Sequence, residues 1–387
     1  MGAVRLTGAA VLADRGWLDS HGVLVQGGRI AAVLPDTADS DAPRVVLPAG
    51  SLLAPGLIDI QVNGGGGVLF NDRPTQEGAR AIASAHRALG TTAILPTLIT
   101  DGPSVMHAAG GVVAEPEAGL WGLHFEGPFL SPEKPGVHPP AHIRLPEEAD
   151  LAFLERLARR AEGRVLLTLA PEKVSDAILR RLSAAGVKLS GGHSVASYER
   201  TMGALASGLS GFTHLFNAMP AISARDPGIA AAALADPESF CGVIADGIHV
   251  HPAMLRLLLA AKPERVMLVS DAMPPTGTSK TSFQLQGRTI YRSGGALRTA
   301  DGTLAGADIC LADAVRFCVR ELGLPAAQAL RMATEAPAAL LGLGGEIGRI
   351  APGLRADLVL MTKDLQVLGT WLGGKWQGEP GVLARAA

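Results

Sequence analysis

Short apolar runs alternate with amphipathic stretches through the centre of the chain. Eight runs stand out: Leu57–Val62, Ala93–Leu98, Gly122–Phe125, Val165–Leu169, Val187–Ser190, Gly211–Thr213, Gly242–Ala245 and Val266–Ser270. Between them lie segments with helical spacing, among them Thr75–Leu89, Ala149–Ala161 and Ser175–Ala185. Strand and helix patterns in alternation predict a parallel sheet. Eight such units suit a closed (β/α)8 TIM barrel, a fold of about 250 residues. A doubly wound open sheet is the alternative, but no G-x-G-x-x-G follows the first run to favour it. The chain ends read differently. Val23–Val25, Gly27-Gly28 and Arg29–Val33 form a hairpin pattern, and Asp357–Met361 and Val367–Leu372 are strand-like, with Gly373-Gly374 as a turn. Neither end holds enough strands for a stable sheet alone. The expectation is one small discontinuous β-sandwich domain from residues 1–53 and 346–387, and a barrel over 54–345.

Composition narrows the function. The 387 residues are 48% hydrophobic and 18% charged, enough apolar material for a large core. A net charge of −2 without a basic stripe argues against nucleic acid. No run of about 18 uncharged apolar residues exists, so no membrane span is expected. Asp14 and Arg15 interrupt any early secretory pattern. The three cysteines, Cys241, Cys310 and Cys318, are odd in number and form no C-x-x-C pair, which predicts reduced thiols in a cytoplasmic protein. Gly64–Gly67 lacks the Lys-Ser/Thr of a phosphate loop and reads as a flexible loop at the barrel mouth.

Catalytic groups of a barrel sit where strands end and the following loops begin. Here the runs end in Gln61-Val62-Asn63, in His124-Phe125-Glu126, in Gly192-His193, in Thr213-His214, in Asp246 to His249, and in Ser270-Asp271. A single histidine at a strand end is usually an ordinary hydrogen-bonding residue. Several converging on one rim point to a site. Glu126, His193 and His214 supply two imidazoles and a carboxylate, a donor set for zinc or a similar divalent ion with a position left open for water. The bland reading is three independent hydrogen-bonding residues. Asp271 is the natural proton carrier, to take a proton from water and pass it to a leaving amine. Its bland reading is a cap or an ion-pair partner.

Matching stretches then bring in a family. PGLIDIQVNGGGG (55–67), LHFEGPFLSPEKPGVH (123–138), LAPE (169–172), GGHS (191–194), THLFNAM (213–219), RDPG (225–228), IADGIHV (244–250), VSDAMPPTG (269–277) and DGTLAGAD (301–308) occur in that order. With them the chain resembles the N-acetylglucosamine-6-phosphate deacetylases of the amidohydrolase superfamily. The resemblance implies metal ligands at Glu126, His193 and His214 and the acid/base at Asp271. It implies that His138 binds the acetyl carbonyl oxygen, with Val137 beside it. Asn217 and Ala218 correspond to sugar contacts. Arg225 and His249 correspond to the phosphate site, with His249 reaching in from a second subunit of a homodimer, and Asp246 is a further substrate-binding position. Leu304, Ala305 and Gly306 correspond to backbone that closes over the sugar. The implied cofactor is one divalent ion per subunit, zinc or iron.

One departure bears on metal number. Many relatives in the superfamily carry His-x-His at the end of the first strand and bind two metals. Gln61 and Asn63 stand there instead, and neutral amides are poor ligands for such ions. One tightly held metal is therefore expected. Pro139-Pro140 after His138 is a second departure, one that stiffens the loop. The implied reaction is removal of the acetyl group from an N-acetylated amino-sugar phosphate. Its rivals are hydrolysis of another acetamido sugar phosphate or a cyclic amide on the same fold, and a catalytically dead barrel used for binding.

Overall fold

The computed structural model describes residues 2–14, 16–160 and 164–385. Its centre is an eight-stranded parallel sheet in sequential order. The strands are Leu57–Val62, Thr91–Ile99, Gly122–Glu126, Arg164–Leu169, Lys188–Gly191, Leu209–Phe212, Phe240–Val243 and Val266–Leu268, so each apolar run became a barrel strand. Every residue of the first two is buried. That explains why they read as continuous apolar runs rather than alternating ones: helices cover the outside and side chains fill the inside. Pro96 cannot donate to the ladder, and the register of the second strand shifts between Ile94 and Pro96. The barrel closes where the chain beyond the eighth strand meets the first. Asp271 N donates to Gln61 O at 3.0 Å, and Asn63 N to Ala272 O at 2.9 Å.

Helices begin where capping residues allow. Gln76–Ala88 starts behind Thr75, whose side chain accepts from Gly78 N, and Asp176–Ala184 starts behind Ser175, which accepts from Ile178 N. The third expected helix runs Glu148–Ala158, and Ala161 lies outside the described residues. No helix among the described residues is long and apolar enough to cross a membrane.

Two further sheets share a core of Leu6, Val23, Ile30, Leu53, Leu360 and Trp371. One has five strands and the other six. Leu52–Pro55, just before the barrel, pairs antiparallel with Leu358–Met361, just after it. Gly27-Gly28 and Gly373-Gly374 make the tight turns, all four at positive φ.

Two features differ from expectation. Gly64–Gly67 is an ordered hairpin, with Gly64–Gly65 paired to Val68–Leu69. Its backbone is held by Gly64 N to Ala272 O, Gly66 N to Thr276 O and Gly67 N to Pro274 O, so the glycines admit a close backbone approach instead of conferring freedom. A Cβ on Gly64 would stand 2.4 Å from Val68 O. A four-stranded antiparallel flap of Ser282–Leu285, Arg288–Ser293, Ala296–Arg298 and Leu304–Ala307 also follows the eighth strand. It packs Leu285, Ile290, Leu297 and Ala305 onto Leu69, Ile99, Val137 and Met273.

Candidate active site

The strand ends meet over a cavity of about 370 Å³. Glu126 ends the third strand, His193 and His214 follow the fifth and sixth by two residues, and Asp271 lies three beyond the eighth. His193, His214 and Asp271 all adopt left-handed backbone, at φ 48°, 33° and 49°. Such a turn aims a side chain across the barrel axis, at a cost of about 1–3 kcal/mol for a non-glycine residue. Local hydrogen bonds hold it: Ser131 N donates to His193 O, Leu215 N to Gly242 O, and Ala307 N to Asp271 O.

Three ligand atoms converge. His193 Nε2 is 3.2 Å and His214 Nε2 is 3.0 Å from Glu126 Oε1, and the two nitrogens are 3.0 Å apart. The edge of a tetrahedron about a zinc-sized ion is roughly 3.4 Å, so the triad fits such an ion with little adjustment. His193 Nδ1 donates to Lys134 O at 2.9 Å, which leaves the lone pair on Nε2 where a metal needs it. Burial drives the His214 imidazole down, but Glu126 beside it outweighs burial and the net shift is upward.

His138 also falls within reach. Its ligand atom, with those of Glu126 and His193, lies inside a 4.8 Å group. Its proton argues against ligation. Both the Thr100 hydroxyl, at 2.8 Å, and its backbone N–H, at 3.3 Å, meet His138 Nδ1; the backbone N–H cannot rotate away, and on that ground we assign the ring proton to Nε2. Burial, and then His193, pushes His138 down to about 3, so the ring is neutral. The result is an N–H donor aimed into the cavity, 3.8 Å from Glu126 Oε2. We therefore favour His214 over His138 as the third ligand.

Asp271 is fixed by amides. Asn63 Nδ2 donates to its Oδ1 at 2.7 Å and Gln61 Nε2 at 3.1 Å, and Gln61 Nε2 also reaches Glu126 Oε1 at 3.2 Å. The pair that stands in place of His-x-His thus orients Asp271 and leaves Oδ2 for the cavity. Burial, and then the Glu126 charge, raises Asp271 to about 6. Beneath it Asp59 Oδ1 accepts from the backbone N–H groups of Gln61 and Ser270, and burial raises that carboxyl to about 7.

The remaining expected residues divide. Val137, Asn217, Ala218, His249, Leu304 and Gly306 line the cavity. Ala305 faces the flap core. Asp246 holds His249 Nδ1 at 2.6 Å and stays ionised. Burial alone would push that carboxyl up, but hydrogen bonding to His249 brings it below its usual value. His249 lines the cavity of its own chain. Arg225 is exposed and is not part of the lining. Sequence reasoning missed Thr100, Lys134 and Thr303. Lys134 and Thr303 line the cavity, and both lie in motifs quoted above, 123–138 and 301–308, whereas Thr100 lies in none of them. A larger cleft of about 660 Å³ lies at the other end of the barrel, beside Phe240, Arg265 and Arg331, and no metal-ligand group converges there among the described residues. All three cysteines are buried, and burial pushes each thiol up to about 12, which makes them inert packing groups.

A barrel with this rim defines a hydrolase of the amidohydrolase type, and the chain belongs to the amidohydrolase family, whose sequence profile matches residues 52–377. Within that family it is similar to amino-sugar phosphate deacetylases over nearly its whole length. An N-acetylgalactosamine-6-phosphate deacetylase of Shewanella sp. (strain ANA-3) is 43% identical, with 95% of this chain and 94% of that protein covered. The N-acetylglucosamine-6-phosphate deacetylase of Homo sapiens is 38% identical, with 92% and 91% covered. The crystal structure of N-acetylglucosamine-6-phosphate deacetylase from Pasteurella multocida superposes with a TM-score of 0.92 at 33% identity, covering 97% of this chain and 100% of that one.

Proposed function

We propose that the protein hydrolyses the 2-acetamido group of N-acetylglucosamine 6-phosphate to glucosamine 6-phosphate and acetate. The observation that carries this reading is the Glu126/His193/His214 convergence opposite a buried Asp271 with one free oxygen. A divalent ion on the triad, which we take to be a single zinc, supplies Lewis acidity at the acetyl carbonyl. The chain's own groups do the rest. Asp271 Oδ2 accepts a proton from the attacking water, and the His138 Nε2–H donates to the oxyanion as the carbonyl becomes tetrahedral. Asp271 then returns its proton to the sugar nitrogen, the C–N bond breaks and the amine leaves. Val137, Asn217, Ala218, Leu304 and Gly306 wall the sugar, with Ala305 fixing the flap strand. His249, oriented by Asp246, and Lys134 offer donors to the phosphate. Arg225 joins them only if its exposed segment folds inward or belongs to a second copy, which is the role we assign to a homodimer. Buried thiols support a cytoplasmic setting.

The galacto epimer is the second reading, favoured by the 43% identity to an N-acetylgalactosamine-6-phosphate deacetylase. The test is acetate release from both 6-phosphates and from unphosphorylated N-acetylglucosamine, beside Asp271→Asn. We expect the gluco 6-phosphate to have the highest kcat/KM, the unphosphorylated sugar to be poor, and Asp271→Asn to lose about 10²–10⁴-fold. A higher kcat/KM on the galacto 6-phosphate would transfer the assignment to that epimer. No release from either, in metal-loaded protein, would overturn it.

A further inference from the structure

The LAPE segment at 169–172 has no part in the chemistry above, yet its glutamate reaches the metal centre indirectly. Glu172 sits in the turn Pro171–Lys173, just past the fourth barrel strand. Its Oε2 accepts from Ser194 Oγ at 2.7 Å and its Oε1 from Val195 N at 2.9 Å. Those are the two residues directly after His193. Ser194 is fully buried, its Oγ accepts from Ala196 N at 3.0 Å, and its own N–H donates to Ala218 O at 3.2 Å. The turn that carries Glu172 is itself anchored. Arg200 Nε donates to Pro171 O at 3.0 Å and its Nη2 to Val174 O at 3.2 Å.

We propose that Glu172 is a positioning residue that holds His193 in its metal-binding conformation and sets the adjoining Ala218 loop. The physical need is plain. His193 at φ 48° and Ala218 at φ 51° both occupy the left-handed region, which relaxes unless neighbours over-determine it. The Ser131 N–H fixes the His193 carbonyl on one side. The Glu172 carboxylate fixes the two following residues on the other. Ser194 carries the constraint across to Ala218, so one carboxylate supports both a metal ligand and a sugar contact. Glu172 is absent from the cavity lining, which separates its role from the catalytic one.

This inference rests on the metal-triad reading, and the experiment separates the two. Metal-stripped protein is titrated with Zn²⁺ against a chromophoric chelator, for wild type, Glu172→Ala, Glu172→Gln and Ser194→Ala. Glutamine keeps an acceptor for Val195 N–H and can donate to Ser194 Oγ, so it preserves the geometry. Glu172→Ala is expected to weaken Zn²⁺ binding by about 10–100-fold, the usual effect of losing an outer-shell partner, and Glu172→Gln to restore most of it. Wild-type affinity in Glu172→Ala, even with a lowered melting temperature, would overturn the proposal and leave a merely structural residue. Glutamine as weak as alanine would overturn the hydrogen-bond account. If Glu172→Ala does not fold, Ser194→Ala carries the test, and unchanged affinity there would likewise overturn it. A wild type that binds no Zn²⁺ would sink the triad reading first.

Discussion

Asn63→Leu tests how the proton carrier is tuned. Asn63 Nδ2 donates to Asp271 Oδ1 at 2.7 Å, and both residues are buried. That bond favours the ionised carboxylate, opposing the burial and the Glu126 charge that raise it to about 6. Leucine keeps the volume and removes the donor, while Gln61 still reaches the same oxygen at 3.1 Å. A hydrogen bond to a charged group contributes about 1.5–3 kcal/mol, and 1.36 kcal/mol is one pKa unit, so the carboxyl should rise by about one to two units. The base works only when ionised, so activity is lost as pH falls through its pKa, and a raised pKa moves that limb upward. From a value near 6, the ionised fraction at pH 7 would drop from about nine-tenths to between roughly one-half and one-tenth. kcat/KM at pH 7 should therefore fall about two- to tenfold and recover near pH 9. The assay is the pH profile of kcat/KM from pH 5 to 9.5, on both proteins loaded with the same metal, which makes the shift between them the measured quantity. A loss that is constant across pH, with the limb unmoved, would refute the reasoning.

Chelation should abolish activity and lower the melting temperature. Readdition at a hundredfold excess over Kd should return about 2.7 kcal/mol of stability, and a melting curve indifferent to Zn²⁺ would contradict the triad. Lys262→Met should destabilise the fold by about 2–5 kcal/mol in urea titration, because the buried ammonium satisfies Ala233 O, Asp236 O and Ser239 Oγ. A change near zero would mean those acceptors find other partners. Burial raises Asp59 to about 7, so the folded chain holds that proton more tightly than the unfolded chain does. Its contribution to stability should therefore fall as pH rises from about 4 to 7. Metal-free Asp59→Asn should lose less stability than wild type over that window, and parallel pH curves would refute it.

The barrel was legible because its strands are buried on both faces, so runs such as Leu57–Val62 stay apolar throughout. The convergence of Glu126, His193, His214 and Asp271 on one cavity was legible because they stand at the ends of those runs. The flap was not. Its strands are short and partly exposed, as in Arg288–Ser293, and their pattern blends with turn sequence. The Gly64–Gly67 order was hidden too, because the partners that fix it lie some 200 residues away and glycine announces only permissiveness. Gln61 and Asn63 were readable as missing ligands, but their grip on Asp271 depends on barrel closure. Arg225 matched a motif, yet its exposed position could not be read from that motif.

The flap's inner strand has a consequence for how the enzyme can diversify. Ala307 N is bonded to the carbonyl of Asp271, and Leu304 and Gly306 of that strand face the cavity. The strand that walls the cavity is therefore spliced to the segment that carries Asp271. The hairpin turn at Gln286-Gly287 is tied by Gln286 Nε2 to Thr100 O at 3.0 Å, whereas the turn at Gly294-Gly295, at the opposite end of the same sheet, is exposed and lies outside the cavity lining. Insertions there can lengthen the outer flap and reshape the entrance while the inner strand keeps its place. Substrate range and catalytic competence can thus vary separately within thirty consecutive residues, 278–307.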